Sequence, residues 1–279
     1  MKVSYDYSGK VTLITGGASG IGHGMAIEFA KAGSDIAICD YNEANGKATV
    51  EEIKALGRKA AFFKCDISKD EDVIAMRDAV LKEFGTVDFL LSNAGVSRGY
   101  TPDGKPCLGP PFTQVVIQDW KRMFQINLFG GVRVIQAFYD MFVAKKEGKI
   151  VCTASIAAFQ PSSLQPQYNA SKIGVINMVQ SLSTDFGPYN ININAICPGF
   201  VYTDMYKEGA HNLKELRPQV FADVETNEEI MNKMAIMMSS LHRPQSPKDM
   251  ADAALFLCSD AAKEITGQYL CVDSGIVTR

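Results

Sequence analysis

The chain has 279 residues, of which 47% are hydrophobic and 21% are charged, so it can bury a full core in one compact domain. Its 28 basic and 31 acidic residues give a formal net charge of −3 without long blocks of one sign, which argues against partners such as nucleic acid or an anionic membrane. No apolar stretch is long enough for a signal peptide or a membrane-spanning helix. We therefore expect a cytoplasmic protein that acts on a small molecule.

Short apolar runs alternate along the chain with longer amphipathic stretches, as strands alternate with helices. Such alternation predicts an α/β fold in which one doubly wound domain, residues 1–279, has a mostly seven-stranded parallel sheet with helices on both faces. The segments 97–113 and 200–246 interrupt it, and each follows a strand end, where open α/β sheets bind ligands. Strands are expected near 11–15, 35–40, 60–66, 88–94, 149–155, 191–197 and 269–273, and helices near 20–32, 43–56, 70–84, 114–144, 166–187 and 247–259.

A glycine-rich turn joins the first predicted strand to the first predicted helix. The apolar run 11–15 leads directly into the sequence GGASGIG at 16–22. Gly16, Gly20 and Gly22 suit a turn in which the backbone approaches a pyrophosphate closely, and the N–H groups of the following helix N-terminus would bind it. Because the spacing differs from G-x-G-x-x-G, an ordinary glycine-rich turn is the alternative interpretation.

An acidic residue, Asp40, closes the second predicted strand, eighteen residues after Gly22. A carboxylate at this place can accept hydrogen bonds from both hydroxyls of an adenosine ribose, and it would repel a 2′-phosphate. No Arg or Lys stands in the glycine turn or just after Asp40 to neutralise such a phosphate, so the sequence favours NAD over NADP. The alternative interpretation is an Asp that caps the next helix.

Three residues with proton-transfer chemistry, Ser155, Tyr168 and Lys172, follow in the second half of the chain, and the last two are four apart on one helical face. A tyrosine hydroxyl titrates near pH ~10, so the ammonium of Lys172 must stabilise the phenolate for it to act at neutral pH. Tyr168 could then exchange a proton with an alcohol or carbonyl during hydride transfer, while Ser155 orients the reacting oxygen. Taken singly, a capping Ser, a surface Tyr and a solvated Lys are the alternatives.

The glycine turn, the strand-end acid and the Ser/Tyr/Lys set stand in the order typical of the short-chain dehydrogenase/reductase family, which the chain resembles from about residue 8 onward. Residues 15–22 fit the T-G-x-x-x-G-x-G turn of that family, 93–95 fit its N-A-G strand end, and 198–199 fit its P-G turn. Ser92, where the family commonly has a second Asn, is a small departure. The resemblance implies a Rossmann-type domain and an NAD(H)-dependent enzyme that interconverts a secondary alcohol and a ketone.

The resemblance also implies roles for further residues. Asn127 resembles the helix asparagine that holds a water linking the catalytic lysine to solvent, although a buried Asn satisfied by backbone groups is an alternative. Asp66 resembles the acid that meets the adenine amino group. The expected catalytic residues are Asn127, Ser155, Tyr168 and Lys172. The expected NAD-binding residues are Gly16, Ser19, Gly20, Ile21, Gly22, Asp40, Asp66, Ile67, Asn93, Ala94, Gly95, Tyr168, Lys172, Pro198, Gly199, Val201 and Thr203.

The segment 200–246 corresponds by resemblance to the substrate lid of the family. Methionines, several at helical spacing, recur in it and could enclose a bulky apolar alcohol such as a hydroxysteroid or a terpenoid. They could equally pack the lid onto the core, and a small diol, acetoin or a polyol is the alternative substrate. These methionines are Met205, Met231, Met234, Met237 and Met238.

The long predicted helix 114–144 and the helix after Ser155 resemble the paired helices through which family members form dimers and tetramers. A homotetramer is therefore expected, although the apolar residues of these helices could first serve the core of the monomer. The three histidines lie far apart and the seven cysteines form no C-x-x-C pair, so we expect neither a metal site nor a disulfide framework.

A function of another class stays open at this point. A dinucleotide-sensing protein without catalytic activity could keep the cofactor pocket and lose turnover. Such a protein would more often lack the proton-transfer groups, all of which are present here. Absorbance of reduced nicotinamide in a mixture of protein, NAD and secondary alcohols would separate the two functions.

Overall fold

The computed structural model describes residues 3–97, 99–100, 106–107, 112–160, 162, 164–203, 205, 214 and 217–278. In these ranges seven parallel strands form one sheet, and two further strands form a short antiparallel ribbon. The strands are β1 (Val11–Thr15), β2 (Asp35–Asp40), β3 (Ala60–Lys64), β4 (Phe89–Ser92), β5 (Gly99–Tyr100), β6 (Pro106–Cys107), β7 (Gly148–Thr153), β8 (Ile191–Pro198) and β9 (Tyr269–Val272).

The strand order of the sheet is β3-β2-β1-β4-β7-β8-β9, which confirms the predicted doubly wound parallel sheet. The chain moves from β1 to β2 and β3 on one side, and then crosses to β4 on the other side of β1. The direction of winding therefore reverses between β1 and β4. In open α/β sheets the crevice at such a reversal, outside the carboxyl ends of the strands, is where ligands bind.

Helices cover both faces of the sheet. The helices α3, α5 and α6 share one buried core with the sheet, and α1, α2 and α8 share the other. Neighbouring residues of β1 show the alternation, since Leu13 belongs to the first core and Ile14 to the second. In chain order the α-helices described are α1 (Gly20–Lys31), α2 (Glu43–Ala55), α3 (Asp70–Phe84), α4 (Ile117–Phe124), α5 (Gly131–Lys145), α6 (Pro166–Phe186), α7 (Asn227–Met238) and α8 (Pro247–Cys258).

The predicted helix 114–144 is divided in the structure. A short 3₁₀ turn, Phe112–Gln114, comes before α4, and the π-helical turn Gln125–Gly130 joins α4 to α5. A π turn inserts one extra residue into the helix, an irregularity often found at functional sites. Here it contains Asn127, so the break coincides with a predicted site residue.

Helix α7 lies in the segment 200–246 and was not among the predicted elements. Thr226 begins it with a capping box: the Thr226 hydroxyl accepts from the Glu229 N–H at 3.2 Å, and Glu229 Oε2 accepts from the Thr226 N–H at 2.9 Å. A small core of its own, centred on the buried Phe221, Ile230 and Met231, holds this helix in place. Of the proposed lid, residues 204, 206–213, 215 and 216 lie outside the described ranges.

None of the helices within the described residues is both long and apolar enough to cross a membrane. The six cysteines whose side chains are described form no disulfide bonds, and all but Cys271 are buried. In the same part of the chain, no three His, Cys, Asp or Glu side chains lie close enough together to hold a metal ion.

Candidate active site

A cleft of about 520 Å³ lies at the carboxyl ends of the parallel strands. Of the residues predicted to form the site, only Gly22 and Asn127 do not line it, and each of these two contacts a residue that does. The predicted residues that line the cleft are Gly16, Ser19, Gly20, Ile21, Asp40, Asp66, Ile67, Asn93, Ala94, Gly95, Ser155, Tyr168, Lys172, Pro198, Gly199, Val201 and Thr203.

The glycine turn leaves no room for side chains at Gly16 and Gly22. Gly16 has a φ of +66°, and a Cβ there would lie 2.8 Å from the Cα of Ala94. A Cβ on Gly22 would lie 2.0 Å from the carbonyl oxygen of Gly16, so α1 packs directly against the turn. Ser19 precedes α1 without capping it through its side chain, and the first turn of α1 has no acidic residue. The N-terminus of α1 can therefore bind an anion in the cleft.

Asp40 is buried at the end of β2 and is tied to the glycine turn. Its Oδ2 accepts from the Ala18 N–H at 3.1 Å, and its Oδ1 accepts from the Asn42 N–H at 2.9 Å. The residue that caps α2 is Asn42, whose side chain accepts from the Asn45 N–H, so the alternative of a helix-capping Asp40 is wrong. Since each carboxylate oxygen can accept two hydrogen bonds, Asp40 retains acceptor capacity toward the cleft.

Asn93 and Thr15 join the ends of β4 and β1. The Thr15 hydroxyl accepts from the N–H groups of Asn93 at 3.0 Å and Ala94 at 3.1 Å. The Asn93 side chain donates to the carbonyl oxygens of Thr15 at 3.2 Å and Gly16 at 3.3 Å. The predicted N-A-G segment therefore lies against the glycine turn, and both line the cleft.

Ser155, Tyr168 and Lys172 meet in the cleft and are all buried. Ser155 follows β7 and caps a 3₁₀ turn, with its Oγ accepting from the Ala157 N–H at 3.1 Å. The capping interpretation of Ser155 is therefore right, and it does not exclude the functional one, because the hydroxyl hydrogen stays available for donation. Tyr168 and Lys172 are neighbours on α6, with the Lys172 Nζ 5.7 Å from the centre of the Tyr168 ring.

Lys172 is a buried cation held by a main-chain oxygen, since its Nζ donates to the Thr153 carbonyl at 2.8 Å. Burial lowers the pKa of Lys172 from 10.5 to about 8, while the nearby thiols of Cys197 and Cys152 act in the opposite direction. Burial raises the pKa of both thiols to about 12, so they are uncharged neighbours at neutral pH. Most molecules therefore carry the Lys172 charge at pH 7, beside the phenol.

Both polar atoms of the Asn127 side chain have hydrogen-bond partners in the protein. Its Oδ1 accepts from the Val96 N–H at 2.7 Å, and its Nδ2 donates to the Val96 carbonyl at 2.8 Å and to the Ser171 hydroxyl at 3.0 Å. This is the buried, backbone-satisfied asparagine of the alternative interpretation. A Cβ built on Gly95 would lie 3.2 Å from the Asn127 Oδ1 and 3.4 Å from the Lys172 Nζ, so Asn127 lies close to the lysine. A relay role stays a prediction.

Asp66 and Ile67 line the cleft just after β3, at the end away from Ser155, Tyr168 and Lys172. Burial acts to raise the pKa of Asp66, but two hydrogen bonds from Ser68 and the charges of Lys69 and Arg133 together outweigh it, and the pKa lies below its ordinary value. The carboxylate is therefore charged at neutral pH and can accept a hydrogen bond from a ligand.

The structure adds residues that the motifs did not reveal. Thr153 could have been found, because it lies two residues before Ser155 in the predicted strand 149–155, and residues two apart on a strand face the same side. No such pattern marked Arg122 on α4 or Ile126 in the π turn, because this helical region is irregular. The added lining residues are Cys39, Tyr41, Asn42, Cys65, Val96, Ser97, Arg122, Ile126, Thr153, Ala154 and Met205.

The lid methionines divide into three groups. Met205 lines the cleft. Met231 is buried in the small core under α7 and Met234 packs against it, as the packing alternative expected. Met237 and Met238 are exposed. In the described part of the lid, a single methionine therefore contributes to the cleft.

A family model described as short chain dehydrogenase matches residues 10–214, which is more than half of the chain. The chain belongs to the short-chain dehydrogenase/reductase family. The predicted family is thereby confirmed. It follows that the protein is an oxidoreductase and that the cleft belongs to a fold that uses nicotinamide dinucleotides. The close turn at Gly16, the open N-terminus of α1 and the buried Asp40 fit such a group.

Other short-chain dehydrogenases/reductases resemble the chain over nearly its full length. The 3-oxoacyl-(acyl-carrier-protein) reductase of Chlamydia muridarum is 33% identical over 268 residues, which cover 96% of this chain and 97% of that protein. The 7alpha-hydroxysteroid dehydrogenase of Escherichia coli (strain K12) is 32% identical over 267 residues, which cover 96% of this chain and 94% of that protein. The crystal structure of NAD⁺-bound xylitol dehydrogenase superposes with a TM-score of 0.86 at 28% identity, over 96% of this chain and 99% of that one. Their named substrates differ in kind.

Proposed function

We propose that the protein is an NAD(H)-dependent oxidoreductase that interconverts a secondary alcohol and a ketone, with Tyr168 as its general acid and base. The observation that carries this proposal is the buried ammonium of Lys172, held beside the Tyr168 ring in the cleft that Ser155 also lines. A scaffold or sensor has no need to keep a desolvated charge next to a phenol.

The chemistry of the proposed site follows from these three side chains. A bound nicotinamide would accept or supply the hydride. Ser155 can donate its hydrogen to the reacting oxygen and hold it near Tyr168. Tyr168 takes the alcohol proton during oxidation and returns it to the oxygen during reduction, and the Lys172 charge favours the phenolate form that this exchange requires.

NAD is favoured over NADP because the cleft has a negative charge where the 2′-phosphate of NADP would lie. Asp40 is fixed there by the Ala18 and Asn42 N–H groups, and the next two residues, Tyr41 and Asn42, are uncharged. A carboxylate can accept both ribose hydroxyls and repels a phosphate. Xylitol dehydrogenase, the structural relative, was solved with NAD⁺ bound, which supports the same choice.

For the substrate we favour a bulky apolar alcohol of the hydroxysteroid or terpenoid kind. Met205 in the cleft and the likeness to a 7alpha-hydroxysteroid dehydrogenase support this choice. A small diol, acetoin or a polyol is the second candidate. Ser97, a polar residue of the cleft, and the likeness to xylitol dehydrogenase favour it.

We further propose a single cytoplasmic domain, 1–279, with a substrate lid at 200–246, that assembles into a homotetramer. Apolar side chains left exposed on and beside α4 and α6 support the assembly: Ile117 is 60% exposed, and Phe129 and Ile173 are each 43% exposed. Sedimentation of the protein at micromolar concentration tests it. A monomer under those conditions would contradict the tetramer.

The proposed activity is tested with a panel of secondary alcohols and ketones that spans steroids, terpenoids, diols and polyols. Each compound is mixed with the protein and NAD⁺ or NADH, and the absorbance of the reduced nicotinamide is followed. We expect turnover with at least one class, and its loss in Tyr168→Phe, which keeps the ring and removes the transferable proton. The Tyr168→Phe variant should still bind NADH. Silence across the panel from a wild type that binds NADH would favour the sensor instead.

A further inference from the structure

Thr153, the last residue of β7, contacts both parts of the cleft that the proposed reaction requires. Its hydroxyl donates to the Asn93 Oδ1 at 3.1 Å, and its carbonyl oxygen accepts from the Lys172 Nζ at 2.8 Å. The side chain is buried and lines the cleft. One residue therefore joins the turn on the cofactor side to the lysine on the catalytic side.

The hydroxyl of Thr153 matters because the Asn93 amide has only one orientation that satisfies its neighbours. The Nδ2 group gives its hydrogens to the carbonyl oxygens of Thr15 and Gly16, which are acceptors only. The Oδ1 atom must then face Thr153, and the Thr153 hydroxyl must be the donor. Asn93 is partly buried, and an amide oxygen that loses its donor there is destabilised, so the hydroxyl stabilises this orientation of Asn93.

The Asn93 amide in turn supports the glycine turn. Its Nδ2 atom contacts the Gly16 carbonyl, and a Cβ on Gly22 would lie only 2.6 Å from the same Nδ2. The amide is therefore packed between the turn and the first residues of α1. A rotation of the amide would remove a hydrogen bond from the Gly16 carbonyl, in the turn where the backbone meets the dinucleotide.

We propose that Thr153 is a positioning residue for the dinucleotide, and that it acts through Asn93 on the glycine turn. The inference rests on the proposed function, because it takes this cleft to be the dinucleotide site. Thr153 makes its two contacts through different atoms, so a substitution can remove one and keep the other. The hydroxyl supports the cofactor side, whereas Lys172 is held by the main-chain carbonyl, which any residue at position 153 provides.

The first test measures the affinity for NADH without any alcohol, by titration calorimetry or by nicotinamide fluorescence. Thr153→Val keeps the shape of the side chain and removes the donor, so we expect the Kd to rise about tenfold. Thr153→Ser restores the donor and should restore the affinity. Thr12→Val is the matched control: Thr12 is a buried threonine of β1 whose hydroxyl bonds to the Ser34 hydroxyl at 2.7 Å, outside the cleft lining. It should lower thermal stability and leave the Kd unchanged.

A second test asks whether Thr153 acts through Asn93. In a double-mutant cycle with Thr153→Val and Asn93→Ala, the double variant should bind NADH no more weakly than Asn93→Ala alone, because the second change removes a bond that is already lost. In turnover, Thr153→Val should raise the KM for NAD several-fold and leave the pH dependence of kcat in place, since the Lys172 contact is kept. If Thr153 had only a structural role, Thr153→Val would lower thermal stability without a selective rise in the KM for NAD.

Several results would overturn the inference. These are an unchanged Kd in Thr153→Val, a Kd in Thr153→Ser that stays weak, an equal loss in Thr12→Val, or additive effects in the cycle. The proposed function fails in a different way, by silence across the substrate panel in a protein that still binds NADH, and that outcome leaves the binding comparison intact. A wild type that binds no dinucleotide would refute both.

Discussion

Replacement of Lys172 by methionine should abolish turnover and yet stabilise the folded protein at neutral pH. Burial lowers the pKa of Lys172 from its ordinary 10.5 to about 8. The difference of about 2.5 pKa units corresponds to about 3 kcal/mol of folding free energy that the buried charge costs. Methionine has a similar length and no charge, so the variant avoids this cost.

The pH dependence follows from the sign of the shift. Well below pH 8 the lysine is protonated in both the folded and the unfolded state, and the full cost applies. Between about pH 8 and 10.5 the unfolded state binds more protons than the folded state, so the stability of the wild type rises with pH. Above 10.5 both states are neutral and the cost is gone. The advantage of Lys172→Met should therefore shrink by about 2 kcal/mol between pH 7 and pH 10.

Urea denaturation of the protein without cofactor, at both pH values, measures this difference. The difference between variant and wild type cancels the titration of other groups. Lys82→Met, at an exposed lysine of α3, is the matched control, and its difference from the wild type should stay constant. If the stability gap between Lys172→Met and the wild type were the same at pH 7 and pH 10, Lys172 would not be the desolvated cation that the proposed mechanism requires.

Two further predictions concern the cofactor side of the cleft. Asp40→Asn keeps an acceptor for the Ala18 N–H but removes the charge, so NADP use should rise while NAD binding weakens about tenfold. Steady-state kinetics with both cofactors measure this change. A wild type that uses the two cofactors equally would contradict the assignment of Asp40 to the ribose. Gly22→Ala places a Cβ 2.0 Å from the Gly16 carbonyl oxygen, so we expect loss of NADH binding and a fall of about 2 kcal/mol or more in unfolding free energy. Gly187→Ala, where a Cβ meets no atom within 4 Å, is its control and should behave as the wild type.

The residues whose place in the cleft the sequence predicted are those whose position is set by local chain geometry. A glycine turn after a strand, and a Tyr and a Lys four apart on a helix, stay near each other in any arrangement of the elements. Asp40 could also be placed, because the carboxyl ends of parallel strands meet at one edge of the sheet. Its bond to the Ala18 N–H could not, since that contact depends on how closely β1 and β2 approach.

The irregular helical region shows the limit of sequence patterns. Apolar spacing over 114–144 predicts a continuous helix, and nothing in it signals the π turn at Gln125–Gly130. The bonds of Asn127 to Val96 and Ser171 join three segments that are distant in sequence, so no local pattern carries them. For α7 a signal was present, because Thr226 and Glu229 form a capping box that sequence reading can find.

Four polar side chains in or beside the cleft share one feature that bears on how specificity is set. Asp40, Asn93 and Lys172, which line the cleft, and Asn127 beside it each bond to a main-chain atom of another part of the chain: Ala18 N, Gly16 O, Thr153 O and Val96 N. These main-chain contacts hold the four side chains in place, and a change of substrate need not disturb them. None of the four bonds involves a described residue of the segments 97–113 and 200–246. Selection among alcohols is then most easily changed there, so chimeras that exchange these two segments with a relative should alter the substrate and keep the affinity for NADH.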